Sequence, residues 1–270
     1  MSDAIPTLSA RSVQRVRHPL RVRRLQVLHR RHLSPHFVRI GLGGQELQGF
    51  VSASFDDHLK LMLPSTPDAE LVLPVAGPDG ISLPPGAPRP LMRDYTPRHY
   101  NAAAGELLID FALHDGDATA AGWASRAQPG QAVGIGGPRG SFVIPLDWDW
   151  HLLIGDETAL PAIARRLEEL PAGARAIVLV ETSDPADRLP LDTRAELHTH
   201  WLQRGAGDSL AEAVRRLRLP PGEGYAWAAG EAAAIAATRQ VLVGTHGLPK
   251  ERIRASAYWK RGIAAHHENL

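Results

Sequence analysis

The sequence predicts two joined folds: an antiparallel β-barrel in the first half and an α/β domain built on a parallel sheet in the second. Three observations predict this. Up to about residue 145, short runs with alternating apolar and polar residues are separated by Pro- and Gly-containing turns, with a single helical stretch among them. Beyond about residue 150, short continuous apolar runs alternate with helical stretches, the pattern of strands buried on both faces and joined by crossover helices. The 270 residues suffice for two domains of ordinary size. The expected division is a flexible arm over 1–19, a barrel domain over 20–146 and an α/β domain with a C-terminal tail over 150–262.

Composition narrows the class. The chain is 44% hydrophobic and 22% charged, as expected of a soluble globular protein. No run reaches about 18 apolar residues, so no transmembrane helix is expected. The first 17 residues lack the apolar core of a signal peptide, so a cytoplasmic location is expected. There is no cysteine, which excludes disulfides, cysteine-ligated zinc and iron–sulfur clusters; redox chemistry would need a bound cofactor. Residues 1–45 hold nine arginines against one acid, within a chain of net charge +1. Such an arm raises nucleic acid or a membrane surface as partners. Its arginines, however, alternate with Val22, Leu25, Val27 and Leu28 like the outer face of a first strand, so neither partner is expected.

In chain order, Val22–Leu33 and His36–Leu42 have strand character around a Ser34-Pro35 turn. A third strand follows at Asp57–Pro64, in which Lys60 sits between apolar neighbours and reads equally as a lysine that snorkels to solvent. Residues 64–90 read as a loop or weak hairpin. Leu91–Arg98 is a strand with unusual cargo. Arg93 and Tyr95 share one face, with Asp94, Thr96 and Arg98 on the other. A guanidinium can grip a phosphate bidentately while an aromatic two residues on offers a flat face, with the Thr96 hydroxyl beside it. The same residues also read as a strand end carrying a surface arginine. Pro97 lacks an N–H, so the strand ends or lies at an edge there. Glu106–His114 is a central strand closed by His114. Asp117–Ala124 reads as a helix whose first turn, Ala118-Thr119-Ala120, is small enough for backbone N–H groups to approach a phosphate. Gln131–Gly136 is a further strand, and Gly137–Phe142 turns the chain.

In the second half, strands are expected at His151–Gly155, Ala174–Glu181, His198–Gln203, Tyr225–Ala229 and Arg252–Trp259. Helices are expected at Ala159–Leu170, with Thr158 as N-cap and Pro161 in the first turn, at Leu210–Leu217 and at Glu231–Val243. A parallel sheet binds ligands beyond the carboxyl ends of its strands. The loops there, Gly155-Asp156-Glu157-Thr158, Glu181–Asp184 and Ala228–Glu231, contain no Gly-x-Gly-x-x-Gly, and their acids also read simply as helix caps. Glu181 could bond a ribose hydroxyl, which favours NADH. Arg188 and Arg204 could instead accept a 2′-phosphate, which favours NADPH.

Arg-x-Tyr-Thr followed by a second arginine, the Asp-x-His-x-Lys-Leu run at Lys60, Gly137–Phe142, Gly-Asp-Glu-Thr-Ala-x-Pro-Ala after one strand, Ala-Gly-Glu after another, and Tyr258-Trp259 followed by a basic residue occur in this order. Together they resemble the siderophore-interacting proteins, ferric-siderophore reductases of the ferredoxin-reductase-like flavoprotein superfamily, over about Val22 to Gly262. The resemblance implies FAD bound by Arg93, Tyr95, Thr96, His114, Ala118, Thr119, Ala120 and Trp123, although the family usually carries Gly-Pro-Ala where this chain has Ala118-Thr119-Ala120. It implies NADH or NADPH at Gly155, Asp156, Glu157, Thr158, Gly230 and Glu231. A ferric siderophore is expected at Lys60, Arg139 and Lys260, with Arg261 as the alternative to Lys260, in a monomer that supplies no iron ligand. Two other readings stay open: a flavin-dependent reductase for a ferredoxin or quinone, and a non-catalytic siderophore- or flavin-binding protein.

Overall fold

The structure is a computed structural model that describes residues 11–66, 69–77, 80–113, 119–207, 209–263 and 268–269. The first half contains β1 (Gln14–Arg17), β2 (Val22–Ser34), β3 (Phe37–Gly43), β4 (Leu59–Leu63), β5 (Val75–Gly77), β6 (Gly80–Ser82), β7 (Leu91–Tyr95), β8 (His99–Asn101), β9 (Glu106–Ala112), α1 (Ala120–Arg126), β10 (Ala132–Gly136) and β11 (Gly140–Val143). The second contains β12 (Trp150–Asp156), α2 (Leu160–Glu169), β13 (Arg175–Thr182), β14 (Glu196–Gln203), α3 (Leu210–Arg216), β15 (Gly224–Glu231), α4 (Ala232–Gly244), β16 (Ile253–Trp259) and β17 (Glu268–Asn269).

Seven strands of the first half form one curled antiparallel sheet in the order β7-β4-β10-β2-β3-β9-β8. Leu25, Val27, Val38, Ile40, Leu61, Ile109 and Ile135 project into its concave side, as period-2 alternation requires. The result is a half-barrel. Its edge strands β7 and β8 are consecutive in the chain and meet through Thr96–Pro97–Arg98, where Pro97 has no N–H to give a ladder. Two expectations are corrected. Residues 14–17, expected in a loose arm, form β1, paired antiparallel with β11. Arg23 does not lie on an outer face. It is buried beside Leu25, its guanidinium 5.6 Å from the Phe50 ring centroid and bonded to the Gly49 carbonyl at 3.2 Å. Leu28 is the exposed residue, because alternation from the inward Leu25 and Val27 turns it outward.

The second sheet runs β14-β13-β12-β15-β16-β17, with the first five strands parallel and β17 antiparallel. Strand order reverses between β12 and β15, so the loops after those strands open onto one crevice. Helices α3 and α4 cover one face, packing on Leu152, Ile154 and Ala228. Helix α2 covers the other, and the half-barrel leans on that face through Phe37 and Phe55, with Ile144 and Trp148 from the junction between the halves beside them. Helix α2 starts one residue later than expected, after a 3-10 turn at Glu157–Ala159. Thr158 does not cap it; instead the Asp156 carboxylate accepts the Thr158 N–H at 2.9 Å.

Polar contacts lock the two halves together. Arg165 of α2 donates to the Pro97 carbonyl at 2.9 Å and to the Ser52 carbonyl at 3.0 Å. Arg98 pairs with Glu168 of α2 and faces buried Asp110. Buried Asp56 accepts Trp227 Nε1 at 2.7 Å and Arg254 Nε at 2.9 Å. Buried Asp187 accepts the Ser34 hydroxyl at 2.6 Å and the His36 amide at 3.2 Å.

At the foot of β12, His151 Nε2 donates to the Leu146 carbonyl at 3.2 Å, and burial, with Arg166 nearby, pushes the imidazole down to about 4. Its folded value lies below its unfolded one, so the unfolded chain binds the extra proton and stability falls as pH drops from about 6.5 to about 4. Denaturant unfolding across this window should give a flatter profile for His151→Gln than for the parent chain, by up to roughly 1.4 kcal/mol per pH unit. Parallel profiles would remove His151 as the source.

Candidate functional site

A cleft of about 710 Å³ separates the half-barrel from the carboxyl ends of the parallel sheet. Its barrel wall comes from β4 and β7, which are paired neighbours: Leu61 opposes Arg93, and Lys60 opposes Asp94. Lys60, Arg93, Tyr95 and Thr96 all line it. Tyr95 packs its ring on Phe111, centroids 4.3 Å apart, and burial holds its phenol well above the ordinary value, so it stays neutral. Among the described residues, Arg93 donates its side chain only to the neighbouring Met92 carbonyl (2.7 Å), which leaves most of a five-donor fork for an anion. Lys60 is not a lone cation, since Asp94 holds its Nζ at 2.7 Å. Thr96 is buried, and its hydroxyl meets the Tyr258 phenol from the C-terminal strand.

The start of α1 supplies the next part of the wall. Thr119, Ala120 and Ala121 line the cleft, and Thr119 Oγ caps the helix by accepting the Gly122 N–H at 3.0 Å. Trp123 lies instead on a smaller adjoining cavity of about 410 Å³, which it shares with Thr119, Arg24 and Arg126. His114 and Ala118 lie outside the described residues.

From the α/β side, Glu157, Thr158, Ser183 and Arg204 line the cleft together with Trp259 and Lys260. Gly155 and Asp156 lie behind this wall. A Cβ at Gly155 would sit 2.5 Å from the Ala229 carbonyl oxygen, so only glycine lets β12 and β15 approach this closely. The buried Asp156 side chain gathers three segments, accepting from Thr158 N, from Glu231 N at 2.9 Å and from Trp259 Nε1 at 2.8 Å. Burial pushes its carboxyl above the usual range against these bonds. The Gly-Asp-Glu-Thr and Ala-Gly-Glu motifs therefore meet on one carboxyl, which sets Trp259 at the cleft. Glu231 has the cap role the acids allowed, accepting from Ala233 N at 2.7 Å and Ala234 N at 3.0 Å.

Two expected contributors fall elsewhere. Arg139 is exposed on the β10–β11 turn, off the cleft wall, where its carbonyl takes the His18 N–H at 2.9 Å. Pairing of β1 with β11 begins at Gly140, the residue after Arg139. Of Lys260 and Arg261, only Lys260 is on the cleft wall. Asp94, Phe111 and Asp187 belong to the surroundings of the site, but the sequence carries no sign that they meet Lys60, Tyr95 and His36.

A half-barrel with an anion-seeking arginine and a neutral aromatic, facing the crevice of a parallel sheet, defines a two-domain flavin- and nicotinamide-dependent oxidoreductase of ferredoxin-reductase type. The ferredoxin reductase of carbazole 1,9a-dioxygenase shares the fold, with a TM-score of 0.63 at 19% identity over 87% of this chain and 68% of that one. Residues 26–142 match the siderophore-interacting FAD-binding domain, and residues 148–262 match the siderophore-interacting protein model. An NADPH-dependent ferric-chelate reductase of Escherichia coli is 41% identical over 251 residues, which span 91% of this chain and 96% of that protein. The crystal structure of a siderophore utilization protein from T. fusca superposes with a TM-score of 0.85 at 37% identity, covering 94% of this chain and 98% of that one. The chain belongs to the siderophore-interacting protein family. The donor set fits the FAD this family implies: a cationic fork at Arg93, an aromatic at Tyr95 and the small-residue start of α1 at Thr119–Ala121, all on one cleft of about 710 Å³.

Gly230 has φ +150, and a Cβ there would lie 2.6 Å from Asp156 Oδ2. Gly230→Ala should destabilise the protein by roughly 1–3 kcal/mol, read as a fall in Tm. An unchanged melt would show that the Asp156 junction tolerates displacement.

Proposed function

We propose that the protein is an NAD(P)H-dependent ferric-siderophore reductase. One observation carries this reading: Arg93 and Tyr95 of the half-barrel open onto the same cleft as the crevice loops of the parallel sheet and Lys260 of the tail. FAD, when bound, accepts an electron pair from a reduced nicotinamide and hands single electrons to Fe(III), which its chelator holds less tightly once reduced. In this reading, Arg93 pairs with the cofactor's pyrophosphate beside the backbone of Thr119–Ala121, and Tyr95 lies against the flavin or its ribityl chain. The loops around Asp156 and Glu157 receive the nicotinamide donor. Lys60 and Lys260 draw an anionic or oxygen-rich ferric complex to the cleft mouth. A cytoplasmic setting suits a reaction fed by reduced nicotinamide. A monomer suffices, because both walls of the cleft come from one chain.

Anaerobic titration tests the reading. A yellow preparation should bleach with NADPH or NADH, and a ferric siderophore should then restore the colour while a ferrous chelator traps the product. Bleaching without ferrous release would favour a different acceptor, and no bleaching would end the enzymatic reading. Arg93→Ala removes a charge-assisted pair of about 1.5–3 kcal/mol, so FAD should be lost on gel filtration. Retention of full flavin would exclude that role.

The Lys60–Asp94 pair makes the substrate side testable by charge. Lys60→Ala and Lys260→Ala should each raise KM for an anionic ferric siderophore several-fold at low salt, while Asp94→Asn unmasks Lys60 and should lower it. Flavin reduction by NAD(P)H should stay normal in all three. A KM that does not respond to any of them would rule out this mouth as the binding site.

A further inference from the structure

The ends of β12, β13 and β14 are tied together by one arginine. Arg204, just past β14, donates Nε–H to Glu181 at 2.9 Å. Its two terminal nitrogens form a fork on the Glu157 carboxylate, with one arm at 2.8 Å, and that nitrogen also donates to the Ser183 hydroxyl at 2.7 Å. Ser183 in turn donates to Glu157 at 2.8 Å.

The two acids are not equivalent. Glu157, Ser183 and Arg204 line the cleft, whereas Glu181 does not. Glu181 therefore anchors the guanidinium from behind through Nε, and Glu157 covers the fork from the side that faces the cleft. A phosphate presents two oxygens to such a fork with the same geometry as a carboxylate. Two acids and one arginine leave the cluster net negative, so a phosphate gains entry by exchange rather than by addition. With Glu157 still on the fork, the carboxylate would repel the incoming anion; once exchanged, it can turn to solvent in the cleft.

Resting on the reading of the α/β half as a dinucleotide site, we infer that Arg204 is the phosphate receptor for the nicotinamide donor, with Ser183 as a second donor and the Glu157 carboxylate as the placeholder that the phosphate displaces. Glu181 is then a positioning residue, fixed on Arg204 and withdrawn from the ribose. The phosphate is either the 2′-phosphate that distinguishes NADPH or the pyrophosphate common to both nucleotides. These share their chemistry and are separated by the test.

Calorimetry on the FAD-loaded protein with adenosine 2′,5′-bisphosphate and with ADP reads binding without turnover. Arg204→Gln should weaken the bisphosphate at least tenfold and spare ADP if the 2′-phosphate is received, or weaken both alike if the 5′-phosphates are. Glu157→Gln should tighten the same probe several-fold, because the competing carboxylate is gone; a merely structural Glu157 would not do this. Retained flavin absorbance confirms the fold of each variant. Wild-type binding of either probe with no loosening in Arg204→Gln, or no tightening in Glu157→Gln, would overturn the inference and leave the dinucleotide site standing. Failure of the wild type to bind either probe would remove both.

Discussion

Arg165 reaches from helix α2 into the backbone of the other half of the molecule, and the cleft depends on that reach. Its guanidinium holds the Pro97 carbonyl and both the carbonyl and hydroxyl of Ser52, while Glu169 steadies it one turn along the helix. Arg98, next in the chain, returns the favour by pairing with Glu168 of the same helix. The strand carrying Arg93 and Tyr95 thus ends in a segment fixed at both sides to the helix that follows the Gly-Asp-Glu-Thr loop. Cofactor wall and nucleotide wall keep their separation because one short segment belongs to both. Pro97 has no N–H to place in a ladder, and its carbonyl is held from the helix side.

Much of this was legible in the sequence, for reasons that differ along the chain. Strands β12, β13 and β15 announce themselves as apolar runs because both of their faces are buried. The shared face of Arg93 and Tyr95 follows from strand alternation alone. Strand β1 could not be read, because its partner β11 lies more than 120 residues away and an edge strand takes its identity from that partner. Arg23 defied its type by stacking on Phe50, a contact that depends on how the barrel closes. The Thr158 cap was a fair inference from residue chemistry, but Asp156, two residues back, takes both the Thr158 N–H and its hydroxyl.

The site divides in the same way. Residue types told which side chains could act, and the motifs told which loops carry them. Register decided what each would meet. Lys60 finds Asp94 across a ladder rung, and Arg139 falls outside the cleft wall on a turn whose next residue pairs with β1. Glu157, at a helix start, is met by the fork of an arginine from two strands away. In each instance the missing fact is a pairing between distant segments, which one sequence does not record.

Asp56 shows what such distance means for a chain leaving the ribosome. It belongs to the barrel half, yet its two partners, Trp227 and Arg254, lie 171 and 198 residues further on. Until those arrive, a carboxylate destined for burial stays in water, and Phe55 beside it lacks the Trp227 ring it packs against at 5.4 Å. The barrel is synthesised first but acquires its finished flank last, when β16 docks. Between the completion of β11 and the docking of β16 the nascent protein therefore carries an exposed aromatic seam on an otherwise complete half, the stretch of its life in which it is most open to chaperones and to wrong partners.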